Sequence, residues 1–418
     1  MRIAVLTASD EAGASPFTPY DPVPDPARYL PDHACVAVRV AKATAVRQVA
    51  EVARGGFDAV INLCDGAWDE ARAGVEVVQA LERLGVAFTG AGSACYDPSR
   101  EAMKLACAAA GVAFPAYVLA TDAAGLAEAA RALRFPLLVK PPAGYSSVGI
   151  TPASRVADAA ALRRQGARVL AEFGAALVEE FVEGREYTVL VAEPRDGVRE
   201  LAWALAPVEC RFPPGESFKH FDLKWKDYAR LAVAPVDDAR LAARLRAAAA
   251  RVFAALEMTG YGRCDVRVDA AGTPFLLEVN PNCAVFYPDG AFGSADEILA
   301  RDPAGPRGFL DHLLACAARR RDRARPAARL AHDRRRGFAL VAARPLGAGE
   351  VAEPYAGRLR AAVPGAAGEW RPLRHAADPS CAVGLGGDLV TRRPVAAGEP
   401  LTVDRALVPG LVLPPARP

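Results

Sequence analysis

The stretch that most constrains the fold of this chain is residues 261–282, YGRCDVRVDAAGTPFLLEVNPN. CDVRVD alternates apolar and polar residues, and PFLLEVN is a short apolar run with a polar end. The letters AAG at 270–272 suit a tight loop between them. Two strand patterns around a short loop predict a β-hairpin.

The predicted hairpin brings four polar side chains together. With a loop of about four residues, Asp265 lies opposite Glu278, and Arg263 lies opposite Asn280. Side chains alternate between the two faces of a strand, so all four share one face. Opposed carboxylates repel each other, and a cation bound by oxygens of Asp265, Glu278 and Asn280 would remove that repulsion. Such hard ligands suit Mg²⁺, which also takes phosphate oxygens. The alternative is a solvated face with ordinary ion pairs.

Composition narrows the class of protein. The 418 residues suggest two to four structural units. With 51 basic and 49 acidic residues, the net charge of +2 gives no reason to expect nucleic-acid binding. The nine cysteines include no C-x-x-C pair, which predicts reduced thiols in a cytoplasmic protein. The apolar run at the N-terminus is too short for a secretory signal, and no stretch approaches a membrane span.

The first hundred residues alternate strand and helix patterns, which predicts a parallel α/β layer. Strands are expected at 2–7, 57–63 and 86–88, with helices at 44–54 and 74–84. The Pro-rich segment 15–33 between the first strand and helix is either a surface loop or a lid over an active site.

A predicted helix with a lysine, which taken alone can be a solvated surface lysine, precedes a strand and loop that suggest phosphate binding. A helix is predicted from Asp97, as N-cap, to Ala110, and it contains Lys104. Residues 135–140 read as a strand that ends in Lys140, followed by the small-residue loop PPAGYSSVG. Backbone amides of such a loop can approach phosphate oxygens, with Lys140 supplying positive charge.

GYGRCDVRVD, FLLEVN and the Lys140 loop together resemble the ATP-grasp ligases, and most of all the D-alanine–D-alanine ligase family. The resemblance covers roughly residues 1–317. It implies ATP phosphates at Lys104, Lys140, Ser146 and Ser147, and Lys224 as the lysine of the 219–226 loop that reaches them. Arg263, Ser147 and Lys224 would serve catalysis, and Asp265, Glu278 and Asn280 would bind magnesium. The implied adenine and ribose site consists of Glu179, Glu180, Phe181, Val182 and Glu186.

The same resemblance implies amide-bond formation through an acyl phosphate, with two Mg²⁺ ions or Mn²⁺ in their place. The substrates would be small or peptide-like acids and amines, and a homodimer is left open. Residues 281–296 differ from the substrate loop of the family. We therefore expect an amino acid or small peptide, and not D-alanyl-D-alanine synthesis. The rival interpretation of residues 1–317 is a nucleotide-binding regulatory protein without turnover.

The tail differs in character. A basic run at 316–336 contains a linker at 318–330, and ARPLGAGE at 343–350 is echoed by RRPVAAGE at 392–399. These motifs resemble a SET domain, the fold of lysine methyltransferases. Arg374 and Arg405 replace its donor-contacting Asn and its active-site Tyr, which favours a β-rich interaction module over a methyltransferase. The predicted order is an α/β domain at 1–96, an α+β ATP-grasp module at 97–317, the linker, and a SET-like β-rich domain at 331–418.

Overall fold

The computed structural model describes residues 1–9, 16–67, 70–144, 146–196, 200–291, 293–324, 328–333, 337–353, 374–383 and 389–404. The chain divides into two compact units, Met1–Arg319 and Arg320–Pro418. No helix among these residues is long and apolar enough to cross a membrane.

The N-terminal layer is a parallel three-stranded sheet in the order β2-β1-β3. Segment 86–88, predicted as a strand, contributes a single bridge between Phe88 and Val60. β2 was not predicted from the sequence, although a turn at Pro31 and Asp32 precedes it. The elements are β1 (Arg2–Ala8), β2 (Ala34–Val40), α1 (Ala45–Arg54), β3 (Ala59–Asn62) and α2 (Val75–Arg83).

The next part is a four-stranded sheet in the order β4-β7-β5-β6, with antiparallel pairing throughout. The helix before it, α3 (Arg100–Ala109), starts later than predicted, because Ser99 and not Asp97 is the N-cap and accepts a hydrogen bond from the Ala102 amide. The other elements are β4 (Tyr117–Ala120), α4 (Ala123–Ala132), β5 (Leu137–Lys140), β6 (Arg155–Val156), α5 (Ala159–Phe173) and β7 (Ala176–Glu180).

The largest sheet has six strands, in the order β11-β10-β8-β12-β13 with β9 paired to β8. Its strands are β8 (Arg185–Ala192), β9 (Trp203–Ala204), β10 (Val208–Arg211), β11 (Ala232–Pro235), β12 (Tyr261–Val268) and β13 (Pro274–Pro281). Its helices are α6 (Phe221–Trp225), α7 (Ala239–Ala255), α8 (Ser294–Arg301) and α9 (Gly305–Ala324).

The predicted hairpin is formed by β12 and β13, and its register is confirmed at both functional pairs. Arg263 lies opposite Asn280, and Asp265 lies opposite Glu278. The loop runs from 269 to 273, one residue longer than expected, since Val268 pairs with Pro274. A β-bulge next to Asp265 shifts the register by one residue and restores the predicted pairing.

One apolar cluster joins the N-terminal layer to the largest sheet. It contains Ile3 and Ile61 from the first layer, Leu190 and Tyr261 from the large sheet, and Phe309 from α9. Each of these side chains is at most 1% exposed. The predicted boundary at residue 96 therefore lies inside one compact unit.

The C-terminal unit is rich in short strands, as predicted. The two echoed segments pair with each other, because Leu346 and Val395 exchange backbone hydrogen bonds of 2.9 Å. In each segment an arginine pairs with the terminal glutamate, Arg344 with Glu350 and Arg393 with Glu399. The strands are β14 (Ala328–Asp333), β15 (Gly337–Ala342), β16 (Val351–Glu353), β17 (Arg374–His375), β18 (Cys381–Val383), β19 (Leu389–Thr391) and β20 (Thr402–Val403).

Candidate active site

The shared face of the β12–β13 hairpin forms a connected polar cluster. Arg263 Nη2 donates to Asp265 Oδ2 at 3.1 Å. Asn280 Nδ2 lies 3.2 Å from that same oxygen and 3.4 Å from Glu278 Oε1. On the neighbouring strand β8, Thr188 donates to the other oxygen of Asp265 at 2.9 Å. Strand alternation predicted a common face, and the structure shows direct contact between these side chains as well.

This cluster fits a magnesium site. The amide of Asn280 lies between the two carboxylates, and turning it over would present Oδ1 to a cation there. Among the described residues, no three His, Cys, Asp or Glu side chains form a metal-binding group. With the amide turned over, its oxygen would join those of Asp265 and Glu278, and Mg²⁺ prefers oxygen ligands of this kind.

The sequence analysis missed Arg100, which joins this cluster to the small-residue loop at 141–149. Arg100 Nη1 donates to Glu278 Oε2 at 2.8 Å, and its Nη2 donates to the Gly144 carbonyl at 2.8 Å. Burial would raise the pKa of Glu278, but the charges of Arg100, Lys140 and Lys224 outweigh it and hold the pKa well below its usual range. Glu278 therefore stays ionised and able to bind a cation.

The hairpin face and Arg100 line a cavity of about 700 Å³. The predicted residues Ser146, Lys224, Arg263, Glu278 and Asn280 are all in its wall. So are Phe17 and Asp21 from the Pro-rich segment, which favours the lid interpretation of that segment. A cavity of this size is in the range of ligand sites.

The small-residue loop and the Pro-rich segment meet at Trp225. Its indole nitrogen donates to the Ser146 carbonyl at 2.9 Å, and its ring stacks on Phe17 with centroids 5.0 Å apart. Ser147 donates to the Lys219 carbonyl at 3.0 Å. Both serines have left-handed backbones, with φ of 57° and 59°. Strained backbone of this kind is common where successive amides form an anion-binding concavity.

Lys104 and Lys140 contact a buried carboxylate. Lys104 Nζ lies 2.5 Å from Glu179 Oε1, and Lys140 Nζ lies 2.6 Å from Glu179 Oε2. Burial lowers the pKa of Lys140 to about 8, although Glu179 opposes the shift. The structure thus joins Glu179, which was assigned to adenine, to the two lysines assigned to phosphate. None of the three is in the wall of the large cavity.

The other residues of the predicted adenine and ribose site have contacts of their own. Glu180 accepts hydrogen bonds from Arg134, the shortest at 2.8 Å. Phe181 is buried, with the guanidinium groups of Arg155 and Arg267 4.7 and 4.4 Å from its ring centroid. Val182 follows, half-buried, and Glu186 pairs with Lys219 at 3.0 Å.

The three lysines of the 219–226 loop have different surroundings. Lys219 pairs with Glu186, and Lys226 pairs with Asp222 at the surface. Lys224 is the one in the cavity wall. Burial, and then the charge of Arg263, lower the pKa of Lys224 to about 8. Its choice, from the sequence, as the lysine that reaches the phosphates stays a prediction.

Comparison with known proteins gives a family. Residues 107–284 match the family described as "D-ala D-ala ligase C-terminus". The D-alanine–D-alanine ligase of Laribacter hongkongensis is 32% identical over 240 residues, covering 56% of this chain and 72% of the relative. That of Herminiimonas arsenicoxydans is 34% identical over 247 residues, covering 56% and 70%.

Solved structures show the same fold. The D-alanine–D-alanine ligase of Bacillus anthracis superposes with a TM-score of 0.57 at 19% identity, covering 77% of this chain and 99% of that structure. The VanG D-Ala:D-Ser ligase of Enterococcus faecalis gives 0.57 at 16% identity, covering 76% and 99%. With a sequence match at this level and the site geometry described above, the chain belongs to the D-alanine–D-alanine ligase family of ATP-dependent ligases.

Proposed function

We propose that the chain joins the carboxylate of an amino acid or small peptide to an amine and forms an amide bond. The observation that supports this most is the hydrogen-bonded set of Arg263, Asp265, Glu278 and Asn280. All of these except Asp265 lie in the wall of the large cavity. Lys224 adds a cation to that wall.

The proposed chemistry is positioning and charge neutralisation. The substrate carboxylate attacks the γ-phosphate of ATP, and ADP leaves. The amine then attacks the acyl carbon, phosphate leaves, and a proton is lost from nitrogen. Arg263 faces the cavity as a fork of donors suited to the charge of the acyl phosphate. Lys224 and the amides beside Ser146 and Ser147 would hold phosphate oxygens.

Asp265, Glu278 and Asn280 would hold magnesium, in two ions or with Mn²⁺ in their place. Bound metal would supply neutralisation of phosphate charge. Arg100 would keep Glu278 oriented for this task, because its second nitrogen is tied to the Gly144 carbonyl.

The identity of the acid and amine is proposed only by class. The sequence at 281–296 motivates the prediction that two D-alanines are not joined efficiently. The relatives, named D-alanine–D-alanine ligases, give that prediction no support. D-Alanine is therefore the first acid and the first amine to assay.

The test is release of ADP and phosphate with magnesium and pooled amino acids, together with the mass of the product. An amide product formed in step with ADP is expected. ATP binding without any product would favour a regulatory protein. Rapid dipeptide formation from D-alanine alone would refute the prediction that this substrate is rejected.

For the tail we propose an interaction module without methyltransferase activity. The proposal depends on Arg374 and Arg405 in place of the SET Asn and Tyr. The side chain of Arg374 and the whole of Arg405 lie outside the part of the chain that the structure describes. Saturable binding of S-adenosylmethionine with methylation of a peptide would refute it.

A further inference from the structure

One side of the large cavity is formed by residues 282–291, which follow β13 and which we call the wall loop. Cys283, Tyr287 and Ala291 lie in the cavity wall, and Gly293 and Ser294 continue it at the start of α8. The wall loop is neither helix nor strand. Its shape, and with it this side of the cavity, therefore depends on contacts other than a regular backbone ladder.

Asp296, in the first turn of α8, holds the wall loop. Its Oδ2 accepts the Gly293 amide hydrogen at 3.1 Å, which is the ordinary contact of an acidic side chain with a helix N-cap. Its Oδ1 accepts the amide hydrogens of Phe286 and Tyr287 at 2.7 and 3.3 Å. Helix capping does not explain these two bonds, because the donors lie 10 and 9 residues away. Asp296 is 6% exposed, so its carboxylate is a buried tie between α8 and the wall loop.

The backbone of Phe286 is held on both sides. Its φ of 66° is left-handed, a conformation that a bulky residue keeps only where its surroundings enforce it. Asp296 accepts its amide hydrogen, and its carbonyl accepts the Asp25 amide hydrogen at 2.7 Å. Its side chain is 1% exposed, in the apolar core. Without the carboxylate, one of the contacts that enforce this conformation is lost.

Tyr287 extends the contact to the Pro-rich segment. Its hydroxyl donates to Asp21, which also lies in the cavity wall. Asp25 of the same segment is bonded to the neighbouring Phe286. The wall loop, α8 and the Pro-rich segment thus meet at two consecutive residues, and Asp296 binds the backbone of both.

We propose that Asp296 is a positioning residue for substrate binding, which holds the wall loop and, through Phe286 and Tyr287, the Pro-rich segment in the shape that the substrate fits. Asp296 is not in the cavity wall itself, so it acts through these neighbours. The inference rests on the proposed ligase function. It assigns one side of the substrate site to a residue that lies behind the wall.

The three hydrogen bonds need an ionised carboxylate, because protonation turns one of its oxygens into a donor. Burial raises the pKa of Asp296 to about 6, against its backbone bonds and the charge of Arg28. Asp296 is therefore ionised at pH 7 and gains a proton as the pH falls through 6. The other titratable groups near it have raised pKa values and are uncharged at pH 6: Tyr261, Cys283 and Tyr287. The hold on the wall loop should thus weaken below pH 6.

The test compares Asp296→Asn with the wild type in the full chain. The amide keeps the size of the side chain but has one acceptor oxygen, so at least one of the three bonds is lost. Asp238→Asn is the matched control, because Asp238 caps α7 by accepting the amide hydrogens of Arg240 and Leu241 at 2.8 and 3.1 Å. Asp296→Glu keeps the charge and moves the oxygens by one methylene. It is the second variant if the Asn protein does not fold.

The first measurement is hydrogen–deuterium exchange at pH 7, followed in peptides by mass spectrometry. The amides of Phe286 and Tyr287 should exchange about fivefold faster or more in Asp296→Asn, because a bond to a charged acceptor is lost or replaced by one to a neutral acceptor. Exchange at Asp25 should rise as well, since its acceptor is the Phe286 carbonyl. Asp238→Asn should leave these amides unchanged.

The second measurement is the KM of ATP and of D-alanine, or of the amino-acid pool where D-alanine is not a substrate. Asp296→Asn should raise the amino-acid KM by about tenfold and leave the KM of ATP and kcat within about threefold. In the wild type the amino-acid KM should rise below pH 6. Asp65, in the cavity wall, also has a pKa of about 6. The part of the rise that belongs to Asp296 is therefore the part that Asp296→Asn lacks.

An unchanged amino-acid KM in a folded variant would overturn the inference, whether or not exchange rises. An equal loss in the amino-acid KM, the KM of ATP and kcat would overturn it too, because a residue that only stabilises the fold affects all three. The proposed ligase function can fail separately. A wild type that forms no ADP with any acid and amine refutes that function, while the exchange measurement still decides whether Asp296 holds the wall loop.

Discussion

Two clusters in the first unit each contain a glutamate bonded by basic side chains, and they have different surroundings. In one, Glu179 lies between Lys104 and Lys140, and all three side chains are at most 6% exposed. In the other, Glu278 is bonded by Arg100 beside Asp265 and Asn280, and its side chain is 29% exposed toward the large cavity. We call these the closed cluster and the open cluster. A carboxylate enclosed by its own cations stabilises the fold, whereas one that faces a cavity remains available to a ligand.

The largest expected effect is on stability, in the closed cluster. Glu179→Gln leaves two buried lysines without a carboxylate, and breaking a buried ion pair costs about 3–5 kcal/mol. We expect a loss of that order in the free energy of unfolding, measured by denaturant titration. Glu51→Gln, in an exposed pair on α1, is the control and should change little. A Glu179→Gln protein as stable as the wild type would show that the closed cluster does not stabilise the fold.

The second effect is on turnover, in the open cluster. Glu278→Gln replaces a proposed magnesium ligand by a neutral amide, a poor ligand for a hard cation. Residues that only orient a metal ligand contribute about 10- to 100-fold, so we expect kcat to fall by more than about 100-fold. The free energy of unfolding should change less than in Glu179→Gln. Near wild-type activity in the folded variant would rule out the metal site at Glu278.

The third test uses Arg100, which links the open cluster to the small-residue loop at 141–149. Arg100→Lys keeps the charge but cannot reach both Glu278 and the Gly144 carbonyl with one planar fork. Loss of one charge-assisted bond is expected to lower kcat/KM by about 10- to 100-fold, equivalent to about 1.5–3 kcal/mol. Arg47→Lys, in an exposed pair on α1 outside both clusters, is the matched control for exchanging the two cations. Equal activity of Arg100→Lys and the wild type would mean that the fork is not needed.

The open cluster was predictable from the sequence because its geometry is local. Strand alternation and a short loop fix the face that Arg263, Asp265, Glu278 and Asn280 share. The predicted loop was one residue too short, and the bulge beside Asp265 compensates for that error in the register. The α/β layers were predictable for the same reason, since periodicity is a property of neighbouring residues.

The closed cluster was not predictable, because its members come from α3, β5 and β7. Nothing in the local sequence distinguishes Lys104, which faces Glu179, from Arg100 one turn earlier on the same helix. The contact between Asp21 and Tyr287 in the wall of the large cavity has the same origin, because it joins residues 266 positions apart in the sequence. Residue types suggest such contacts only after the fold has brought the segments together.

The smallest expected effect is the pH dependence of ATP binding, and it separates two lysines of one loop. The pKa of Lys224 is lowered to about 8, chiefly by burial, so its charge is present below pH 8 and is lost as the pH rises through that value. ATP favours the charged form, so the affinity of the wild type should be constant below pH 8. Between pH 8 and 9 it should fall by up to about tenfold, which corresponds to about 1.4 kcal/mol. ATP binding should also take up protons in this range, measurable by calorimetry in buffers of different ionisation enthalpy.

Lys224→Met should bind a non-hydrolysable ATP analogue more weakly at pH 7 and lose most of this pH dependence. Lys226→Met is the matched control, because Lys226 lies at the surface in a pair with Asp222, and it should keep the wild-type profile. A profile that is unchanged in Lys224→Met would assign the titration to another group of the site. Two lysines of one loop thus differ in the same way as the open and closed clusters. A lysine in the cavity wall is poised to titrate with its ligand, whereas Lys219, paired with Glu186, has its pKa raised and stays charged.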